Sequence, residues 1–442
     1  MPRHRAHVPL DVLVNNRPVG QLIKERSGAT SFRYVQSWLD WQHAFAISLS
    51  LPLREPAYSG APVTAVFENL LPDNPNVRKT VAERTGAEGA DYYSLLERIG
   101  RDCVGAMQFL PEGTAVEALP EIEGEVVDEG EIEAMLANLA RTPLGIDLDH
   151  EFRISVAGAQ EKTALLFSEG RWMRPLGTTP TTHILKPQLG EIPTAFGIID
   201  MQNSVDNEHY CLHLLAAFGL PVAPSHIETF GKRRVLVVER FDRQRRGNRI
   251  LRLPQEDCCQ ALTVPPAQKY QNNGGPSATD ILKLLRGADE PLRDQAAFFK
   301  SQLLFWLIGA TDGHGKNFSI FLRPGGRYGL TPFYDVLSAQ GAFDLKQIPN
   351  NKYKLAMSVG ASGKYRILEI VGRHFIETAQ EAGLGATTIK AVLTEILEAA
   401  PKAAATALSE MPADFHPAIH DSVAKAIDAR LPRLETALAS IR

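Results

Sequence analysis

The most constraining stretch of this sequence is an apolar helix that runs without a break into a polar turn. Phe298, Phe299, Leu303, Leu304, Phe305, Trp306 and Ile308 recur at helical spacing, so the segment is expected to be buried and to hold the next residues rigidly. Those residues are Thr311-Asp312-Gly313-His314-Gly315-Lys316-Asn317-Phe318, and further on come Pro332-Phe333-Tyr334-Asp335. A turn with two glycines that carries an acid, an imidazole, an amine and an amide suits the display of chemistry on a scaffold. The same residues also permit a plainer role, because D-G turns are common punctuation and Asp or Asn after a helix often only caps it.

The spacing within the turn alone fits the plainer role better, and Asp335 with the upstream features below tips the reading toward phosphoryl transfer. Asp312 and Asn317 repeat the D-x-x-x-x-N offset in which an aspartate takes a hydroxyl proton and an asparagine holds magnesium. Asp335, expected at the end of an apolar-flanked strand, would be the second metal carboxylate beside Asn317. Upstream, Ser155-Val156-Ala157-Gly158-Ala159-Gln160-Glu161-Lys162 lies between expected strands at 153 to 156 and 163 to 167. Small residues there let backbone N–H groups approach phosphate oxygens, or simply form a tight hairpin. Lys186 closes an apolar strand, where it either pairs phosphates as a point charge or snorkels to solvent. Glu208 is either its partner or a favourable charge at a helix N-terminus. Glu239, Arg240 and Phe241 follow the buried strand at 235 to 238, as a hinge for adenine or as a surface salt-bridge cluster with Asp242 and Arg243. In the turn itself, His314 either contacts phosphate or orients Asp312. Lys316 either neutralises the transferring group or is a solvated lysine.

At 442 residues the chain is long enough for two to four domains or subdomains. The formal charge of −4 gives no bulk preference for nucleic acid, and leaves room for a local basic patch. Cys103, Cys211, Cys258 and Cys259 lack metal-site spacing, the N-terminus lacks an apolar signal core, and no apolar run reaches bilayer length. These features lead us to expect reduced thiols and a cytoplasmic location. Residues 9 to 23 read as a hairpin turning at Asn15-Asn16. A helix over residues 66 to 71 is stopped by Pro72, and another starts at Asp73 or Asn74. The acidic segment 112 to 131 reads as a linker. Strands are expected around 163 to 167, 172 to 175, 182 to 186 and 235 to 238, with a helix from about Asp206. Beyond Arg252 strand patterns fade and helices dominate, including 387 to 400 and 421 to 441. The expected organisation is a β-rich subdomain over 1–118, an ATP-binding part over 119–250 and a helical part over 251–442.

The residues also spell out a family resemblance. The runs R-I-S-V-A-G-A-Q-E-K-T-A-L-L (153 to 166), T-P-T-T-H-I-L-K-P (179 to 187), V-E-R-F-D-R (238 to 243), L-R-L-P-Q-E-D (251 to 257) and W-L-I-G-A-T-D-G-H-G-K-N-F-S (306 to 319) closely resemble the HipA toxin kinases. E-N-L-L-P-D (68 to 73) and I-G-R-D-C-V-G-A (99 to 106) extend the likeness toward the N-terminus. It weakens over roughly the last sixty residues. The resemblance implies an α+β, two-lobed, divergent protein-kinase-like fold of phosphatidylinositol-kinase type, with a mixed β-rich N-lobe and an all-α C-lobe. It implies a serine/threonine protein kinase using ATP and Mg2+, with Asp312 as catalytic base and Asn317 and Asp335 on the metal. ATP would be lined by Ala157, Gly158, Ala159, Gln160, Glu161, Lys162, Lys186, Glu239, Arg240, Phe241, His314, Gly315, Lys316, Asn317, Tyr334 and Asp335. Ser155 would be an inactivating autophosphorylation site. The implied target is glutamyl-tRNA synthetase, whose phosphorylation blocks tRNA charging and leads to growth arrest and persistence. The implied partner is a HipB-like helix-turn-helix antitoxin dimer, which binds operator DNA. The alternative is a nucleotide-regulated co-repressor subunit. Basic residues near Lys364, Arg366, Arg373 and His374 are candidates for touching DNA, without any one being assigned.

Overall fold

In the computed structural model, residues 7–116, 121–139, 144 and 160–441 are described. Ser155, Ala157, Gly158 and Ala159, with the strand expected at 153 to 156, lie outside them. The chain forms two compact units: Met1–Pro187 with Glu228–Ala267 and Ser319–Arg327, and Gln188–Ile227 with Gln268–Phe318 and Tyr328–Arg442.

The first unit opens with an antiparallel sheet ordered Tyr58–Ser59, Thr30–Tyr34, Arg17–Lys24, Leu10–Val14, Met107–Pro111. Its first hairpin turns where expected: Asn15 and Asn16 both take positive φ, 49° and 62°, the pair of left-handed residues that a two-residue hairpin requires. Helix Ala61–Glu68 covers this sheet, placing Phe67 against Phe32 and Phe109 with both ring-centroid distances at 5.6 Å. That helix begins earlier than its apolar run suggests, directly after Gly60. Helix Pro75–Thr85 starts at Asn74, whose side chain accepts the Asn76 N–H at 2.9 Å, the ordinary N-cap arrangement.

A second sheet in this unit sets Gly124–Val126, Arg171–Pro175, Thr163–Ser168, His183–Pro187 and Arg233–Glu239 side by side. The segment expected to be a linker therefore contributes an edge strand. It also starts helix Glu129–Ala137, whose Asp128 and Glu131 form a reciprocal capping box. Asp128, Glu129 and Glu131 thus belong to helix-start chemistry rather than to a solvated tether.

Strands also persist past Arg252. Gln255–Asp257 pairs antiparallel with Ser319–Arg323, and both belong to the first unit. Gln255, Glu256 and Asp257 are buried, so a polar, very short strand escaped a pattern search that weighs apolar alternation.

The second unit is mainly helical, built from Ser204–Ala217, Ala278–Leu285, Pro291–Ile308, Gly372–Glu381, Ala386–Ser409 and Pro417–Ala439. It is not all-α, since Gly190–Thr194 pairs with Gly197–Met201 and Lys354–Val359 with Lys364–Arg366. Helix Pro291–Ile308 is its central element: every residue from Phe298 to Ile308 is buried. Among the described residues, no helix is long and apolar enough to cross a membrane.

Candidate active site

The second unit fixes the end of the buried helix before the polar turn begins. Gly309 closes helix Pro291–Ile308 in the left-handed conformation, φ 71°. A Cβ there would strike the Tyr353 hydroxyl, so glycine is required on both counts. The last carbonyls of a helix have no partner inside it, and here side chains supply the donors. Arg430 Nη1 donates to Trp306 O at 3.1 Å and to Leu307 O at 2.6 Å, and Ser338 Oγ donates to Ile308 O at 2.6 Å. A buried cation at the negative end of the helix is also favourable to its dipole. Arg430 comes from helix Pro417–Ala439, in the stretch whose sequence offered least guidance.

The turn then leaves Asp312 exposed and folds the residues after it inward: His314, Lys316 and Asn317 are buried. Gly313 is needed for this reversal, because a Cβ there would lie 2.6 Å from the Phe305 ring. Asn317 Nδ2 donates to Asp312 O at 2.9 Å and to Asp335 O at 3.4 Å. The Tyr334 hydroxyl donates to Lys316 O at 2.9 Å. Asp312, Lys316, Asn317, Tyr334 and Asp335 are thus drawn together by bonds from side chain to backbone.

Asp335 does not end a strand as expected. It comes two residues after Phe333, which makes an isolated bridge with Val222, and takes φ 59°. A non-glycine residue in the left-handed region is uncommon and tends to occur where surrounding structure imposes it.

The donor set suits magnesium better than a softer metal. Among the described residues no group of three or more His, Cys, Asp or Glu side chains could hold an ion. The amide hydrogens of Asn317 face two backbone carbonyls, one of them that of Asp335, which leaves its Oδ1 as an acceptor. Two hard oxygen ligands, with phosphate and water completing the shell, are what magnesium commonly uses.

One residue of this neighbourhood is not foreseen by motif or spacing. The Tyr270 hydroxyl donates to Asp312 Oδ1 at 2.5 Å, and its ring meets His314 edge-on, with centroids 4.9 Å apart. The only sequence signal was an aromatic in an otherwise polar Q-K-Y-Q-N-N-G-G run, far from Asp312 along the chain.

In the first unit, Lys186 lies on strand His183–Pro187 opposite Leu236, and Leu185 lies opposite Thr163. Continuing that register brings Lys162 alongside Lys186, and both lysines are buried. Gln160 Nε2 donates to Pro187 O at 3.3 Å, and Glu161 is exposed. Glu239 is exposed at the end of its strand, and Phe241 packs edge-on against Phe321, 5.8 Å between centroids.

Arg240 is committed elsewhere. Its Nε and Nη2 donate to Asp242 at 3.0 and 2.8 Å, and its Nη1 to Asp102 at 3.3 Å and to Thr181 Oγ1 at 2.9 Å. Asp102 also accepts from Arg243 at 2.9 Å, from Arg252 at 3.2 Å, and from the Thr181 N–H and hydroxyl. The salt-bridge alternative for this segment therefore describes Arg240, but the cluster is interior: Arg240 is 4% exposed and Asp102 3%. Burial alone would raise the Asp102 carboxyl. Arg243, Arg240 and Arg252 outweigh it and hold the group well below the usual carboxylate range. Burial first, and Arg240 next, lower Arg243 to about 10.

Of the basic residues near the C-terminus, Arg366 pairs with Glu369 at 2.7 Å, and His374 is buried and accepts the Val371 N–H at the start of its own helix.

The family description for the HipA-like C-terminal domain matches residues 154–404, and that for the HipA N-terminal domain matches 10–110. A putative kinase, Y4mE, of Sinorhizobium fredii is 34% identical over 91% of this chain and 92% of its own. The serine/threonine-protein kinase toxin HipA of Shewanella oneidensis is 29% identical over 79% of this chain and 78% of its own. A solved structure of the Shewanella oneidensis HipA, HipB and operator DNA complex superposes with a TM-score of 0.79, at 23% identity, covering 97% of this chain and 99% of that one. The mixed α+β fold, the two matched domains and the near full-length relatives together place this chain in the HipA family.

Proposed function

We propose that this chain is a serine/threonine protein kinase toxin that transfers the γ-phosphoryl group of ATP to a protein hydroxyl, with a two-lobed kinase-like architecture. The observation that carries the reading is the Asn317 amide, which ties the backbone of Asp312 to that of Asp335. One side chain thereby sets the spacing between an exposed carboxylate and the two oxygen donors suited to magnesium. Asp312 takes the proton of the acceptor hydroxyl as that oxygen becomes phosphorylated, the role an exposed, positioned carboxylate can perform. Asn317 and Asp335 hold Mg2+, which when bound offsets negative charge on the phosphate oxygens. Lys316, folded inward beside them, adds positive charge where charge develops, and His314 adds a ring N–H donor. Lys162 and Lys186 contribute a buried cationic pair for the phosphates of ATP, and the backbone of residues 239 to 241 serves adenine. Arg240 takes part there through its main chain only, since its guanidinium is engaged with Asp102 and Asp242.

In this reading Ser155 is a self-phosphorylation site. A dianionic group beside the small-residue loop repels the phosphates of ATP. The protein acceptor is glutamyl-tRNA synthetase, the setting is the cytoplasm, and the partners are a HipB-like antitoxin and, through it, operator DNA. The family membership and the HipA–HipB–DNA assembly of the structural relative support the antitoxin and DNA partners.

The test is incubation with labelled ATP and magnesium, with and without glutamyl-tRNA synthetase, for wild type, Asp312→Asn and Ser155→Ala. Label on the synthetase from wild type and Ser155→Ala, but not from Asp312→Asn, is expected. Label on the chain alone would keep the kinase and remove the proposed acceptor. With protein shown by mass spectrometry to be unphosphorylated at Ser155, absence of all label would overturn the kinase reading in favour of a co-repressor subunit.

A further inference from the structure

We infer that Tyr270 is a positioning residue for phosphoryl transfer, its hydroxyl fixing which oxygen of Asp312 is presented to the acceptor. The inference rests on the kinase reading above and deepens it. Asp312 is exposed, and an exposed aspartate ordinarily samples several rotamers. Here Oδ1 accepts the Tyr270 hydroxyl at 2.5 Å, which holds that rotamer and leaves Oδ2 for the acceptor hydroxyl.

Tyr270 is itself held from both sides. On one side the Lys269 carbonyl accepts the Gly315 N–H at 3.2 Å, a direct tie to the catalytic turn. On the other, Gln271 makes a two-way bond with Ser358: its Nε2 donates to Ser358 Oγ at 2.9 Å and its Oε1 accepts the Ser358 N–H at 2.7 Å. The Gly275 N–H closes back onto the Tyr270 carbonyl at 2.9 Å. The ring stands edge-on to His314, a favoured aromatic arrangement. A phenol tethered by its neighbours to the turn and to strand Lys354–Val359 is built into the site, not a plug that swings clear. Misplacement of a reacting group by about 1 Å can lower a rate by roughly a hundredfold, so fixing one carboxylate oxygen has value for turnover without adding binding contacts.

The test separates hydroxyl from ring. Tyr270→Phe keeps the ring against His314 and removes the donor, whereas Tyr270→Leu removes both. Turnover is measured with labelled ATP, magnesium and glutamyl-tRNA synthetase, and with the chain's own labelling followed in parallel. Nucleotide affinity and melting temperature are read on the same samples. We expect Tyr270→Phe to lower kcat by about tenfold or more, nearly as far as Tyr270→Leu, with nucleotide Kd and melting temperature unchanged. Gln271→Ala, which loosens one tether, should shift kcat in the same direction by less. If Tyr270→Phe behaves as wild type while Tyr270→Leu fails, ring packing is its whole role and the inference is wrong. Faster transfer by Tyr270→Phe would also overturn it, identifying the hydroxyl as an obstruction at the base. Wild type that labels neither itself nor the synthetase would overturn the kinase reading, and this inference with it, before any variant is compared.

Discussion

Asp102 and Asp312 look alike in the sequence, each an aspartate beside glycine and basic residues, yet the fold treats them in opposite ways. Asp102 is sealed in the interior of the first unit, with its oxygens taken up by three arginines and by Thr181. Asp312 stands exposed on a turn of the second unit, with Oδ1 held by Tyr270. The first arrangement uses charge for structure: three guanidinium groups around two carboxylates, with surplus donors on the carbonyls of Cys103, Gly105 and Thr181. The second leaves its carboxylate exposed, which the proposed base role requires. Saturation, rather than residue type, separates the structural cluster from the proposed reactive one.

The contrast is most directly broken at its structural pole. Removing one partner of a buried ion cluster strands the others, so Asp102→Ala is expected to reduce stability by about 3–5 kcal/mol, measured by denaturant unfolding. An unchanged midpoint would show that the cluster is not closed. At the proposed catalytic pole the expected effect falls on rate alone. Asp312→Asn should lower phosphoryl transfer by about 10²–10⁴-fold while shifting stability by no more than about 0.5 kcal/mol. A large stability loss there would make Asp312 structural after all.

Arg430 tests whether the reactive turn depends on a distant support. Arg430→Met removes the donors to Trp306 and Leu307; Trp306 O keeps the Gly309 N–H at 3.3 Å, and leaving the buried Leu307 acceptor unmet costs about 1–3 kcal/mol. Both melting temperature and kcat should fall together.

A pH-dependent effect concerns Glu256, a buried carboxyl of the first unit that accepts the Leu49 N–H at 2.8 Å. Burial raises it from 4.5 to about 8, against the opposing influence of Leu49 and Ser48. The folded chain thus keeps a proton that the unfolded chain releases near 4.5. The stabilisation is complete below that pH and is lost as pH rises toward 8, at up to about 1.4 kcal/mol per pH unit. Glu256→Gln should remove this decline, seen as a flatter dependence of unfolding free energy on pH between those values.

Much of the fold was legible where local rules are strong. Asn15-Asn16 turned the hairpin because a two-residue loop requires left-handed residues, and Asn74 started its helix because a side-chain oxygen there meets a free N–H. The edge strand Gly124–Val126 and the strand Gln255–Asp257 were missed for the converse reason. Both are short and polar, and their pairing comes from partners distant in the chain. In the candidate site, Asp312, Asn317 and Asp335 could be picked out from residue type and spacing. Tyr270 and Arg430 could not, because nothing along the chain links position 270 or 430 to the turn.

The sequence alone determined the helix-to-turn support, the acid and amide that the turn carries, and the family to which such runs belong. Those are properties of neighbouring residues, and periodicity and spacing report neighbours. The tertiary structure decided which charged groups would be used up and which kept available. It enclosed Arg240 with Asp102 and Asp242, set Asp335 at φ 59°, and brought the Tyr270 hydroxyl to Asp312. Hydrogen bonds are satisfied in space, so their remaining capacity becomes visible only when the chain has closed on itself.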